Sequence, residues 1–227
     1  MLKNILTSAV FAGVAVGVVA ALLQFWLVTP SLFEGELYET GERVHFASDG
    51  TTQSVSGTPS IWEDPARQLM TVGFNIVTFT AFAFLLVAGF AVAERSGHEI
   101  SPKQGLVWGL AGFIALQLAP AVGLPPELPG TPAAEVGARQ VWWIGCVVAT
   151  GVGLALIAFG NGLAIMIGFG LIALPHVIGA PHLDTYFGVA PPELSAHFVS
   201  LSLGAAAMTW ALLGFFAAVL WVRSQEA

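Results

Sequence analysis

The chain has 227 residues, 56% of them hydrophobic and only 9% charged, with a mean hydropathy of +0.81. A soluble domain carries roughly a quarter charged residues, so this composition excludes a soluble core and leaves an integral membrane protein. A net charge of −7 with no basic patch excludes nucleic-acid binding, and without a GxxxxGK[ST] loop there is no P-loop ATP hydrolysis.

The first apolar run covers residues 5–28. Lys3 ahead of it looks like the start of a signal peptide. The run continues through Leu22-Leu23-Gln24-Phe25-Trp26, past any small-residue cleavage site, so it reads as a retained helix. Ala9, Gly13, Gly17 and Ala21 recur every four residues, a stripe that lets helices approach closely. Residues 69–93 and 104–122 form the second and third spans, with Gly105 and Gly109 repeating the small-residue spacing. Residues 141–178 would run roughly 57 Å as one helix, far more than a bilayer core. Gly160-Asn161-Gly162 reads as a tight turn, which splits the stretch into antiparallel helices at 141–159 and 162–178. The last span is 197–221. The expected fold is an all-α bundle of six transmembrane helices, or five if 162–175 only re-enters the membrane. Residues 1–227 form a single transmembrane domain with an acidic extracytoplasmic loop at about 30–66. The seven tryptophans fall mostly near span ends, as in an aromatic belt. The lone Cys146, inside an apolar run, reads as inert packing and excludes a disulfide framework.

With a cytoplasmic amino terminus and six spans, the inner segments hold four basic residues (Lys3, Arg95, Lys103, Arg223) against three acids. The outer segments hold three basic residues and eleven acids. This orientation agrees with the positive-inside rule. An acidic outer mouth concentrates cations. Four of the five histidines, His45, His176, His182 and His197, fall on the same side. The alternative is that acidic loops simply solvate the surface.

Two groups of residues stand out as candidate ligands. Glu36 and Glu39 follow the first span after Pro30, and in a helix their i, i+3 spacing puts them on one face. Carboxylates so placed repel unless a cation or proton lies between them; the alternative is an exposed helix end. His176 and His182 bracket Gly179 and Pro181 in Pro175-His176-Val177-Ile178-Gly179-Ala180-Pro181-His182, with Asp184 following. A loop can fold both imidazoles toward one point, and such ligands suit Co²⁺, Ni²⁺ or Zn²⁺; the alternative is a proline-terminated helix with satisfied imidazoles. Within the spans the polar residues Asn75, Gln117 and Asn161 are neutral, and Gln24 lies near an end. No Asp, Glu or Lys lies mid-span, which argues against a charged relay and for a path of neutral oxygens.

At these residues the chain resembles the CbtA family of cobalt transporter subunits. The resemblance runs nearly end to end. Its pieces are Gln24 with Pro30, Glu36-Leu37-Tyr38-Glu39, Leu118-Ala119-Pro120 and Gly123-Leu124-Pro125-Pro126-Glu127-Leu128-Pro129-Gly130, then Arg139-Gln140-Val141-Trp142-Trp143, and Pro175-His176 with Gly179-Ala180-Pro181. The resemblance implies Co²⁺ uptake for cobalamin synthesis, a small single-span CbtB-type partner and about five spans. His182 and Asp184 lie just past the best-matching part. The proline-rich segment 124–132 is a stiff connector or a ledge over the entrance with Glu127 pointing at it. Arg139 is positioned to pair with an outer acid.

The expectation is a non-enzymatic membrane subunit, in the cytoplasmic membrane, that moves a divalent metal inward. Co²⁺ is its cargo, with Ni²⁺ as the alternative, and no cofactor is permanently bound. His176 with Glu36 and Glu39, joined by His182 and Asp184, would capture the ion. Imidazole binds metal only when deprotonated, so capture weakens below about pH 6.5. The competing readings are a non-conducting scaffold or regulatory metal-binding subunit, and a haem-bearing membrane enzyme. The last is disfavoured because the histidines lie at helix ends.

Overall fold

A computed structural model describes residues 1–46, 49, 51, 59–185 and 187–226. The fold is all-helical. Among the described residues there are eight α-helices: α1 (Leu2–Leu23), α2 (Thr29–Glu39), α3 (Pro65–Arg95), α4 (Pro102–Phe113), α5 (Ala119–Gly123), α6 (Val136–Phe159), α7 (Gly162–Ile178) and α8 (Pro192–Glu226). Two π-helical segments, Gln24–Val28 and Ile114–Leu118, join α1 to α2 and α4 to α5. Taken end to end, these make six helices. Five are long and apolar enough to cross a membrane, and the sixth, α7, has 17 residues. At 1.5 Å per residue α7 is roughly 25 Å long, slightly less than a bilayer core. The expected six helices are therefore present, and the short one is the expected one.

The π segments were not anticipated from the sequence. Each directly precedes a proline, Pro30 or Pro120, in the first turn of the next helix. Proline lacks the N–H for the i→i−4 bond, and its ring collides with the carbonyl four residues back. Widening the preceding turn absorbs that conflict without ending the helix. The first helix thus runs on through Pro30 to Glu39, and Gln24 lies in its interior rather than near an end.

Other boundaries follow local chemistry. Asp64 caps α3 by accepting from the Arg67 N–H at 3.0 Å, and Pro65 occupies the first helical position. Glu135 caps α6 through the N–H groups of Gly137 and Ala138. Between α6 and α7 only Gly160 and Asn161 are non-helical, so the two helices form a tight antiparallel hairpin. Gly153 and Gly168 meet inside it: a Cβ on either would lie 2.7 Å from the other's carbonyl oxygen.

The chain divides into two compact units. The first comprises Met1–Trp26, Ile61–Phe113 and Gly204–Ala227, the second Leu27–Ser60 and Ile114–Leu203. In the first, α1 packs on α3 through its small-residue stripe. A Cβ on Gly13 would lie 2.3 Å from Thr80 Cα, and one on Gly17 would lie 2.6 Å from Ile76 Cα. α4 meets the carboxy-terminal half of α8 in the same way. There a Cβ on Gly109 would lie 2.2 Å from the Trp210 carbonyl oxygen, and one on Gly214 2.0 Å from that of Gly105. Both small-residue spacings therefore serve close packing, as expected. Trp210, 1% exposed, fills the interior against Phe82 and Gly112. Trp142 and Trp221 are also buried, whereas Trp26 and Trp62 are exposed. Trp142 and Trp210 fill space left by Gly123 and Gly112. At one end of this unit Asn4 donates to the Ser224 carbonyl at 2.8 Å and Gln225 donates to the Glu94 carboxylate at 2.9 Å. The amino terminus, the end of α3 and the end of α8 therefore meet there.

Candidate metal-capture site

The second unit carries all five candidate ligands. α2 is held on two sides, with Thr29 and Phe33 buried on one and Ser31, Gly35 and Tyr38 on the other. Leu128 of the proline-rich segment, 3% exposed, presses on Gly35, where a Cβ would lie 2.9 Å from Leu128 Cδ2. After Glu39 the chain turns back through Gly41 at φ 78°. The turn brings the Arg43 N–H to the Leu37 carbonyl at 3.0 Å and pairs the Arg43 guanidinium with Glu34. Of the three acids on α2, Glu34 is thus neutralised within its own segment. Glu36 is half-buried and Glu39 exposed on the last turn, and the helical condition for their sharing one face is met.

His176 lies in the last turn of α7. The Trp142 indole N–H donates to the Pro175 carbonyl at 3.1 Å, and the Trp142 ring meets the His176 ring edge-on at 6.1 Å. The Pro175 carbonyl also accepts the Gly179 N–H at 3.0 Å, closing the helix, and Gly179 takes φ 87°. Together these bonds fix the backbone that carries His176. Ala180 then seats against Gly123 beside Trp142, Ala119 and the buried Cys146. His182 and Asp184 follow in exposed chain. His182 Nδ1 lies 3.0 Å from the Leu183 carbonyl. In that contact the ring nitrogen is the donor, because a carbonyl only accepts.

Two ligand-bearing segments meet the proline-rich segment at Gly130, which has φ 74°. A Cβ there would lie 2.8 Å from Val189 Cγ2 and 3.2 Å from Glu39 Cβ. The end of α2, the proline-rich segment and the connection after α7 therefore meet at one point. Glu127 is not turned toward that point as a lone acid. It pairs with Arg139 at 2.7 Å, so Arg139 has the structural role the sequence suggested. Among the described residues no group of three or more His, Cys, Asp or Glu side chains is close enough to hold a metal ion. The candidate ligands thus share a region without forming a closed cage.

Two acids of this unit are held in the charged form. The Gly137 and Ala138 N–H groups keep the Glu135 carboxyl below the usual carboxylate range. The Thr51 hydroxyl and N–H do the same for Asp49. The sequence reading missed the Arg43–Glu34 pair and the seat of Glu39 against Gly130. The glycines at 41 and 130 were the available signals, since both occupy turns that need positive φ.

No curated protein and no solved structure shows significant similarity to the chain. A family model does match, over residues 2–222, and its description is probable cobalt transporter subunit. With nearly the whole chain covered by that match and its helices apolar and long enough to span a bilayer, the protein is a multi-pass membrane protein belonging to the CbtA family.

Proposed function

We propose that the protein captures Co²⁺ at an extracytoplasmic rim and moves it inward to supply cobalamin synthesis. The convergence of α2, the proline-rich segment and the post-α7 connection at Gly130 carries this reading. His176, Glu36 and Glu39 are the first ligands, with His182 and Asp184 joining as the exposed chain closes on the ion. Imidazole and carboxylate together suit Co²⁺ and Ni²⁺ alike. The open arrangement favours capture and release over permanent retention, because a transported ion must bind weakly enough to leave.

The amino terminus lies in the cytoplasm of a cell bounded by this membrane. Support comes from the first unit, where the amino terminus and the ends of α3 and α8 meet, bearing Lys3, Arg95 and Arg223. A single-span CbtB-type subunit completes the transporter by delivering the ion or lining part of the path.

The test is reconstitution in liposomes of the chain alone and with that partner, followed by measurement of Co²⁺ and Ni²⁺ entry. Metal-dependent entry with the partner present is expected. Binding of Co²⁺ without entry in either preparation would identify a non-conducting scaffold instead, and faster Ni²⁺ entry would reassign the cargo.

A further inference from the structure

The buried face of α3 changes character along its length. Toward the carboxy-terminal end it is Phe79, Ala83, Leu86, Val87 and Phe90. Over the first three turns it is polar, with Gln68, Thr71 and Asn75 at positions i, i+3 and i+7. Asn75 lies about 15 Å along the helix from Pro65, so this polar stretch reaches into the hydrocarbon region.

The hydrogen bonds fix what Asn75 can offer. Its amide nitrogen donates to the Thr71 carbonyl and to Gln24 Oε1, both at 2.9 Å. The Thr71 carbonyl accepts only, so the amide cannot be flipped. Both amide protons are thereby engaged, and Oδ1 is the group Asn75 turns to any further ligand. Gln24 opens the π segment, and such bulges recur at functional sites.

Gln68 adds the second observation. It is 7% exposed, and its Nε2 has no hydrogen-bond partner among the described residues. Gly13 sits at Thr80 and Gly17 at Ile76, so each residue forward in α1 meets one residue back in α3. That register brings Gln68 level with Phe25, beside Gln24. Interhelical polar residues often serve only as packing contacts. Here Gly13 and Gly17 already supply close packing, and a packing amide would not be buried without a bond. Leaving it dry carries a desolvation cost that a leucine would avoid.

We infer that Gln24, Gln68 and Asn75 form a hydrated station within the membrane for a divalent cation, which they coordinate through neutral amide oxygens while retained water completes the shell. This rests on the transport reading above. Neutral oxygens suit a waypoint: they replace part of the hydration shell without the charge that would trap the ion. The water that hydrates the ion also satisfies the Gln68 amide nitrogen.

The test compares the unaltered complex with Asn75→Leu, Asn75→Asp, Gln68→Met and His176→Ala in membrane vesicles, using radiolabelled Co²⁺ and scaling uptake to folded protein. Asn75→Leu and Gln68→Met are expected to lower the maximal rate at saturating Co²⁺ at least tenfold, with melting temperatures near that of the unaltered chain. Asn75→Asp is expected to lower both the maximal rate and the half-saturating Co²⁺ concentration, because a carboxylate holds the ion. If Asn75→Leu does not fold, Gln68→Met and Asn75→Asp decide the question. Maximal rates within twofold of the unaltered complex for the folded variants would overturn the station. If His176→Ala abolishes uptake at limiting Co²⁺ in the same experiment, the transport reading survives that failure. No Co²⁺ uptake by the unaltered complex would overturn both.

Discussion

Each of the two compact units is held together internally by a different balance of contacts. In the first, helix backbones touch at glycine: Gly13 and Gly17 on α3, and Gly105 and Gly109 on α8. In the second, the α6–α7 hairpin also closes at glycine, Gly153 on Gly168, but the segments that carry the candidate ligands are anchored by individual side chains: Leu128 on Gly35, Trp142 on the Pro175 carbonyl, and Arg43 on Glu34. Backbone contact fixes helix spacing and leaves little room for adjustment. Side-chain anchors hold loops in place while leaving candidate ligands such as Glu39, His182 and Asp184 exposed. A capture site that must open and close is better built the second way, and a polar station at a set depth is better built the first.

Replacing Gly214 with valine attacks the first kind of contact directly. Its Cβ would lie 2.0 Å from the Gly105 carbonyl oxygen, so the helices must separate. A cost of at least about 3 kcal/mol is expected, seen as loss of folded protein in a detergent melt. Gly170→Val, at an exposed position with open space around it, should melt near the unaltered chain. Equal tolerance of both would remove the contrast.

Leu128→Ala tests the second kind. Truncating this buried leucine should cost about 2–4 kcal/mol. It should also release the proline-rich segment, read as faster amide exchange over residues 35–39 and 128–131. If the melting temperature falls with exchange unchanged there, the segment is not what seats α2.

Trp142→Phe removes the bond to the Pro175 carbonyl together with the part of the indole that packs on Gly123. About 2 kcal/mol is expected, with exchange at Gly179 accelerated. The smallest effect is expected for Glu135→Gln. The depressed carboxyl pKa means this cap stabilises the start of α6 above the unfolded-state carboxyl pKa and loses its contribution as pH falls through the folded value. In the unaltered chain, fraying of the first turn of α6 should therefore rise on acidification. Glu135→Gln should show it already at neutral pH, by amide exchange at residues 137–139.

The helices were legible in the sequence because hydropathy and length mark spans, and because Gly160-Asn161-Gly162 can only be a turn in so apolar a stretch. The continuation of the first helix through Pro30 was not, since proline ordinarily marks an end and its accommodation depends on a π turn that leaves no local signature. The Glu36–Glu39 face could be read from spacing alone. The neutralisation of Glu34 and the pairing of Glu127 with Arg139 depend on how loops return, which spacing does not encode. The Gln24–Asn75 bond lay between these cases. Both residues are evident as polar interruptions, but their meeting depends on the antiparallel register set by Gly13 and Gly17.

The most direct measurement is Co²⁺ uptake by the His176→Ala complex across limiting and saturating concentrations. Capture at the α7 end requires the half-saturating Co²⁺ concentration to rise at least tenfold, with the folded fraction retained. An unchanged half-saturating concentration would contradict it.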